Sequence, residues 1–205
     1  MTPWSELHPE VLPYVPGCPD PMLDQEIRGA AIEFFRRTRA WGEWLDPIYG
    51  VANLREYDLD MPSGSEVVRI EQATRNGAPL EIEGFRSVPA DPAQRAVDGP
   101  LSVTTSDRVT VWLSQGVATG DRLQLRVSLM PNRTSAGIGD TLFGQYRDAL
   151  ADGARHRLLR VPGPLHKPRE AEEARLLFEA AIARASVDGW RGHTLVTPRA
   201  QPKWC

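Results

Sequence analysis

Side chains able to do acid–base, metal or nucleophilic chemistry are sparse and scattered along this sequence. The histidines are His8, His156, His166 and His193; no two stand at the i, i+4 spacing of a helical metal site, and none is grouped with a cysteine. Histidines spread in this way read as surface or interface residues. Glu56, Asp58 and Asp60 in LREYDLD could serve as paired carboxylates for glycoside hydrolysis. They alternate with Tyr57 and Leu59, however, which is the pattern of a strand with one wet face. The serines of SGSE (63–66) fall in a turn between strands rather than in a nucleophile elbow. GIGD (137–140) lacks the third glycine of a dinucleotide loop, and no P-loop is present. Trp112 in VTVWLS points opposite to Val109, Val111 and Leu113 on an alternating strand. It could stack on a sugar, but a core or interface role is the better reading. These residues amount to no catalytic constellation, and the chain reads as a non-enzyme that calls for no cofactor and no metal.

The bulk properties agree with a folded structural protein. Of 205 residues, 41% are hydrophobic and 25% charged, enough for a sizeable core. A net charge of −3 argues against a broad basic surface that grips nucleic acid. Lys167 and Lys203 are the only lysines; every other cation is arginine, which suits contacts with carboxylates. Cys18 and Cys205 stand near opposite ends and form no disulfide framework or metal motif. The N-terminus has no basic start followed by an apolar run, so no signal peptide is expected. The longest uncharged stretch, between Arg108 and Asp121, is far short of the roughly 20 residues of a membrane span. A soluble product is expected.

Three kinds of segment must position whatever the protein uses. Asp20-Pro21 is a good helix start, and Ile27, Ala30, Ala31, Phe34, Thr38 and Trp41 recur at helical spacing, predicting a helix over 21–41. Between 54 and 130 lie short alternating or β-branched runs, with Asn76-Gly77 marking a hairpin turn. Helical periodicity returns at Leu142–Leu158, where Gly153 would allow close packing or a bend. A further helix over 168–187 has a narrow stripe of Ala171, Ala174, Leu177, Phe178, Ala181, Ile182 and Ala185. The expected fold is α+β: a helical bundle formed by 1–50 and 135–188, an inserted antiparallel β region over 51–134, and an extended C-terminal arm over 189–205. Two helical pieces could not bury their stripes separately, so both ends of the chain are expected to pack together.

Three long segments carry a resemblance in the same order along the chain: VLPYVPGCPDPMLDQEIRGAAIEFFRRTRAW (11–41), YDLDMPSGSEVVRIEQATRNGAPL (57–80) and YRDALADGARHRLLRVPGPLHKPREAEEARLLFEAAIARA (146–185). Together they resemble the head-to-tail connector, or adaptor, proteins of tailed bacteriophages, similar to the tubular tail protein A type of short-tailed phages. One departure is His166, where members tend to carry an aromatic residue. The resemblance implies a structural protein of the virion neck, assembled in the host cytoplasm. It implies a homo-oligomeric ring, commonly of twelve copies, beneath the portal protein. A tail nozzle or stopper protein would attach below, and DNA would pass through the channel without specific binding. The family's C-terminal segment docks on the portal, which points to Leu195, Val196, Arg199, Lys203 and Trp204. Phe34, Trp41, Ala174, Phe178, Ala181 and Ile182 are expected to serve core and subunit contacts. The alternative is a β-sandwich module that binds a glycan or a virion protein through Trp112, with a glycoside hydrolase behind it.

Overall fold

A computed structural model describes residues 1–84 and 100–191. The chain divides into two compact units, Met1–Trp41 with Pro131–Cys205 and, between them, Gly42–Met130. The expected boundaries were 51 and 134.

The first unit begins with strand β1 (Thr2–Pro3), a 3-10 turn (Trp4–Leu7) and a short helix α1 (His8–Val11). Trp4, Leu7 and Val11 are buried, and Trp4 Nε1 donates to the Ser135 carbonyl at 2.8 Å. β1 pairs antiparallel with β11 (Gly137–Ile138), Thr2 opposite Ile138. Gly137 is required there, because a Cβ would collide with the Thr2 backbone carbonyl. Helix α2 (Asp20–Thr38) has Pro21 in its first turn, acids early and Arg36 and Arg37 late, in keeping with the helix dipole. It stops at Arg39, whose left-handed φ of 54° lets its N–H reach the Phe35 carbonyl. Trp41, expected inside the helix, lies beyond it with its ring edge on Phe35 at 6.0 Å. Helix α3 (Asp140–Leu159) packs against α2 and against α4 (Pro168–Arg191).

Among its described residues the second unit holds nine strands. These are β2 (Gly42–Trp44), β3 (Ile48–Tyr49), β4 (Glu56–Asp58), β5 (Ser65–Arg75), β6 (Ala78–Pro79), β7 (Glu81–Ile82), β8 (Ser102–Thr104), β9 (Thr110–Leu113) and β10 (Arg122–Pro131). One sheet runs β2-β10-β5-β6 with β3 also on β10; the other runs β4-β9-β8-β7, and its β7–β8 pair is parallel. The β5–β6 hairpin turns through Asn76 (φ 50°) and Gly77 (φ 84°), two positive values that match the right-handed twist of the strands.

The expectation of a helical bundle carrying an inserted antiparallel region is corrected by this architecture. The fold is α+β and mostly sheet-based, with three sheets among the described residues that include a half-barrel. One of those sheets, β1–β11, lies inside the unit that also holds the helices. The physical reason is that strand pairing is non-local. Apolar alternation marks a segment as a strand but carries no information on its partner, and Thr2 finds Ile138 from far along the chain. Helix α4 continues to Arg191, so the first residues of the arm expected over 189–205 are helical; 192–205 lie outside the described residues.

Candidate functional site

The side chains expected to serve core and subunit contacts lie in the first unit, with Trp41 half-buried. Phe34 is fully buried, its ring centroid 4.9 Å from Tyr146, 5.3 Å from Phe35 and 6.2 Å from Phe178. Ala174, Phe178 and Ile182 are buried and Ala181 half-buried on the inner side of α4. Gly153 of α3 is the point of closest approach: a Cβ there would stand 2.7 Å from Phe178 and 2.9 Å from Ala30. Leu195, Val196, Arg199, Lys203 and Trp204 lie outside the described residues.

Helix α4 is apolar on two opposite sides. Leu177, expected on the inner stripe, is exposed, as is Leu176. Each step along the helix turns about 100°, which carries Leu177 off the side occupied by Phe178. Leu176, Ala180, Ala183 and Val187 follow one another at spacings of four, three and four, and all four are exposed. They lie about half a turn round the helix from Ala174, Phe178 and Ala185. A helix buried on one side of its own unit normally turns a polar face outward.

One ion-pair set ties α2 to α4. Arg37 donates through two nitrogens to the Glu179 carboxylate at 2.7 and 2.5 Å, and Glu33 lies 3.3 Å from the same guanidinium. Those hydrogen bonds hold the Glu179 carboxyl below the ordinary carboxylate range and raise Arg37 further.

The outer side of α2 opens into a groove of about 570 Å³ lined by Gln25, Arg28, Gly29, Ile32, Glu33 and Arg36, with Arg133 and Arg157 closing it. Arg157 pairs with Glu26 at 2.7 Å and lies 3.6 Å from Glu33. Arg28 donates to the Arg133 backbone carbonyl at 2.7 Å, yet its Nε is buried without a partner among the described residues. The guanidinium groups of Arg36 and Arg133 meet no carboxylate among the described residues. Sequence reasoning missed this groove. Arg28 and Arg36 are visibly two helical turns apart, but Arg133 and Arg157 reach them only through the fold.

The other residues singled out for chemistry are dispersed. Glu56, Asp58 and Asp60 are exposed, with Tyr57 and Leu59 buried between them, as a strand with one wet face requires. Trp112 is half-buried opposite Glu56 and Thr104, while Val111 and Leu113 face the core. Val109, expected with them, is exposed. His8 Nε2 lies 2.8 Å from Asp24, linking α1 to α2, and His156 Nδ1 lies 3.0 Å from the Ala171 carbonyl, linking α3 to α4. Among the described residues no three His, Cys, Asp or Glu side chains gather as a metal site, and no described helix is long and apolar enough to cross a membrane.

No protein-family model matches the chain, and the search of curated proteins finds no significant match.

Proposed function

We propose that this chain is a structural connector of a tailed-phage neck, a subunit of a ring that joins the portal to the tail and surrounds the passage for DNA. The observation that carries the reading is α4, apolar on its inner side and again on its outer side at Leu176, Ala180, Ala183 and Val187. Such a helix gains a covered outer face when copies associate, and side-by-side association is what a ring subunit needs. The net charge of −3 suits a passage along which DNA slides, since each phosphate neutralised would add affinity through counterion release. The proline-punctuated, basic C-terminal segment RGHTLVTPRAQPKWC supplies an aromatic and arginine anchor for the portal in Trp204 and Arg199.

Mass photometry of the purified chain, alone and with its portal protein, tests the reading. A ring-sized species on the portal is expected, and its loss on deleting residues 192–205 with the fold intact. A chain that stays monomeric and never joins the portal refutes the proposal.

A further inference from the structure

The outer stripe of α4 and the arginine groove of α2 are two surfaces of one unit that share no residue. They are complementary in kind. The stripe exposes Leu176 (56%) and Val187 (48%) and is flanked by Glu172 and Glu173, exposed acids that pair with Arg175 and Arg169 of the same helix; Glu170 pairs with Lys167, and Glu179 is held by Arg37. The groove has an apolar floor at Gly29 and Ile32 beneath four guanidinium groups. Two of these, on Arg36 and Arg133, have no carboxylate among the described residues, and the Nε of Arg28 is buried unpaired. An apolar seam flanked by Glu172 and Glu173 matches an apolar floor with arginine walls, because exposed pairs within one helix are weak and can exchange for the two-pronged bond of an arginine to a carboxylate.

We infer that the groove receives α4 of a second copy of this chain, outer side inward. The inference rests on the ring reading above and supplies its subunit contact. Duplex phosphates would also satisfy the arginines, but they would leave Leu176 and Val187 in water. Pairing of one α4 with another would cover those residues but leave the groove arginines without acids. Since the two surfaces differ, the contact is head-to-tail, the kind that propagates into a ring or an open filament rather than stopping at a two-fold dimer.

Two surface variants of the full chain test this, each first shown to melt like the wild type. One is Leu176→Asp/Val187→Asp, which disables the stripe; the other is Arg36→Glu/Arg133→Glu, which disables the groove. Sedimentation velocity over a concentration series, with and without portal, is expected to show wild-type multimers and two monomeric variants. Mixed together, the variants should form a one-to-one dimer and nothing larger, because each retains the surface that the other lacks.

A wild type that assembles while either variant also assembles, or a mixture that stays monomeric, overturns the contact and leaves the ring reading standing. A groove variant that still assembles but loses binding to a duplex oligonucleotide overturns it in favour of a phosphate site. A wild type monomeric under every condition refutes the contact and the ring together.

Discussion

Two helical glycines should respond to the same substitution with opposite sign. Replacing an interior helical glycine by alanine gains about 1 kcal/mol of helix propensity. At Gly29 of α2, the new Cβ would meet only the guanidinium end of Arg157, at 2.8–3.0 Å. That end can swing away, at the cost of a half-exposed pair with Glu26, about 0.2–1 kcal/mol for such pairs. Gly29→Ala should therefore leave stability unchanged or raise it slightly. At Gly153 of α3 the neighbours are the Phe178 ring at 2.7 and 3.0 Å and the Ala30 Cβ at 2.9 Å. Carbon atoms prefer roughly 3.5–4.0 Å, so the ring and the α2 backbone must both retreat. Overpacking of this kind costs about 1–3 kcal/mol. With the propensity gain subtracted, the expected net loss is up to about 2 kcal/mol, or up to about 8 °C in Tm for a chain of this size. Urea unfolding followed by far-UV ellipticity, which reports chiefly the helices, should show a lower midpoint for Gly153→Ala at unchanged slope. If Gly153→Ala stabilises as Gly29→Ala does, the three helices are not closely packed at this point and the reasoning fails.

Three further outcomes follow from the same structure. Asn76→Ala should cost about 2 kcal/mol, because it places a Cβ-bearing residue without a local hydrogen bond at φ 50° and removes both the bond that Asn76 Nδ2 donates to Asp121 and the one that its Oδ1 accepts from the Arg122 N–H; Asn76→Gly should cost less, as read by chemical denaturation. The Glu179 carboxyl is depressed by its hydrogen bonds from Arg37, so its contribution is present above the unfolded value of about 4.3 and is lost as pH falls through the lower folded value. Urea midpoints should fall more steeply below about pH 4 in the wild type than in Glu179→Gln, and parallel acid limbs would contradict the assignment. Burial, then Asp20 and Glu26, push the Cys18 thiol up. In a Cys205→Ser background a thiol reagent at neutral pH should label Cys18 only after denaturant is added, and rapid native labelling would show that the site opens.

Local chemistry was legible wherever a feature depends on neighbours in sequence. Asp20-Pro21 marks the start of α2, Asn76-Gly77 the β5–β6 turn, and the alternation around Tyr57 and Leu59 the wet and dry faces of β4. The end of α2 was less legible: Trp41 keeps the helical period, but Arg39 turns left-handed and takes Trp41 out of the helix to pack on Phe35. Leu177 was assigned to the inner stripe because an apolar residue beside Phe178 cannot be told from one on it without the partner helix. The helical-bundle expectation failed for a related reason. The sheets assemble from pieces as short as two residues, such as β1 and β11, which are too brief to show any period.

The sequence by itself determined where helices and turns begin and that acids and arginines lie at opposite ends of α2, while it left Gly153 open between close packing and a bend. Those features follow from backbone propensities and from the 3.6- and 2-residue periods, which act over a few residues. The partners were decided only by the tertiary structure: Thr2 with Ile138, Arg37 with Glu179, and Arg133 and Arg157 brought to Arg28 and Arg36 around one groove. Burial of apolar surface selects such pairings for the whole chain at once. It is non-directional and leaves no local trace of which surfaces will meet.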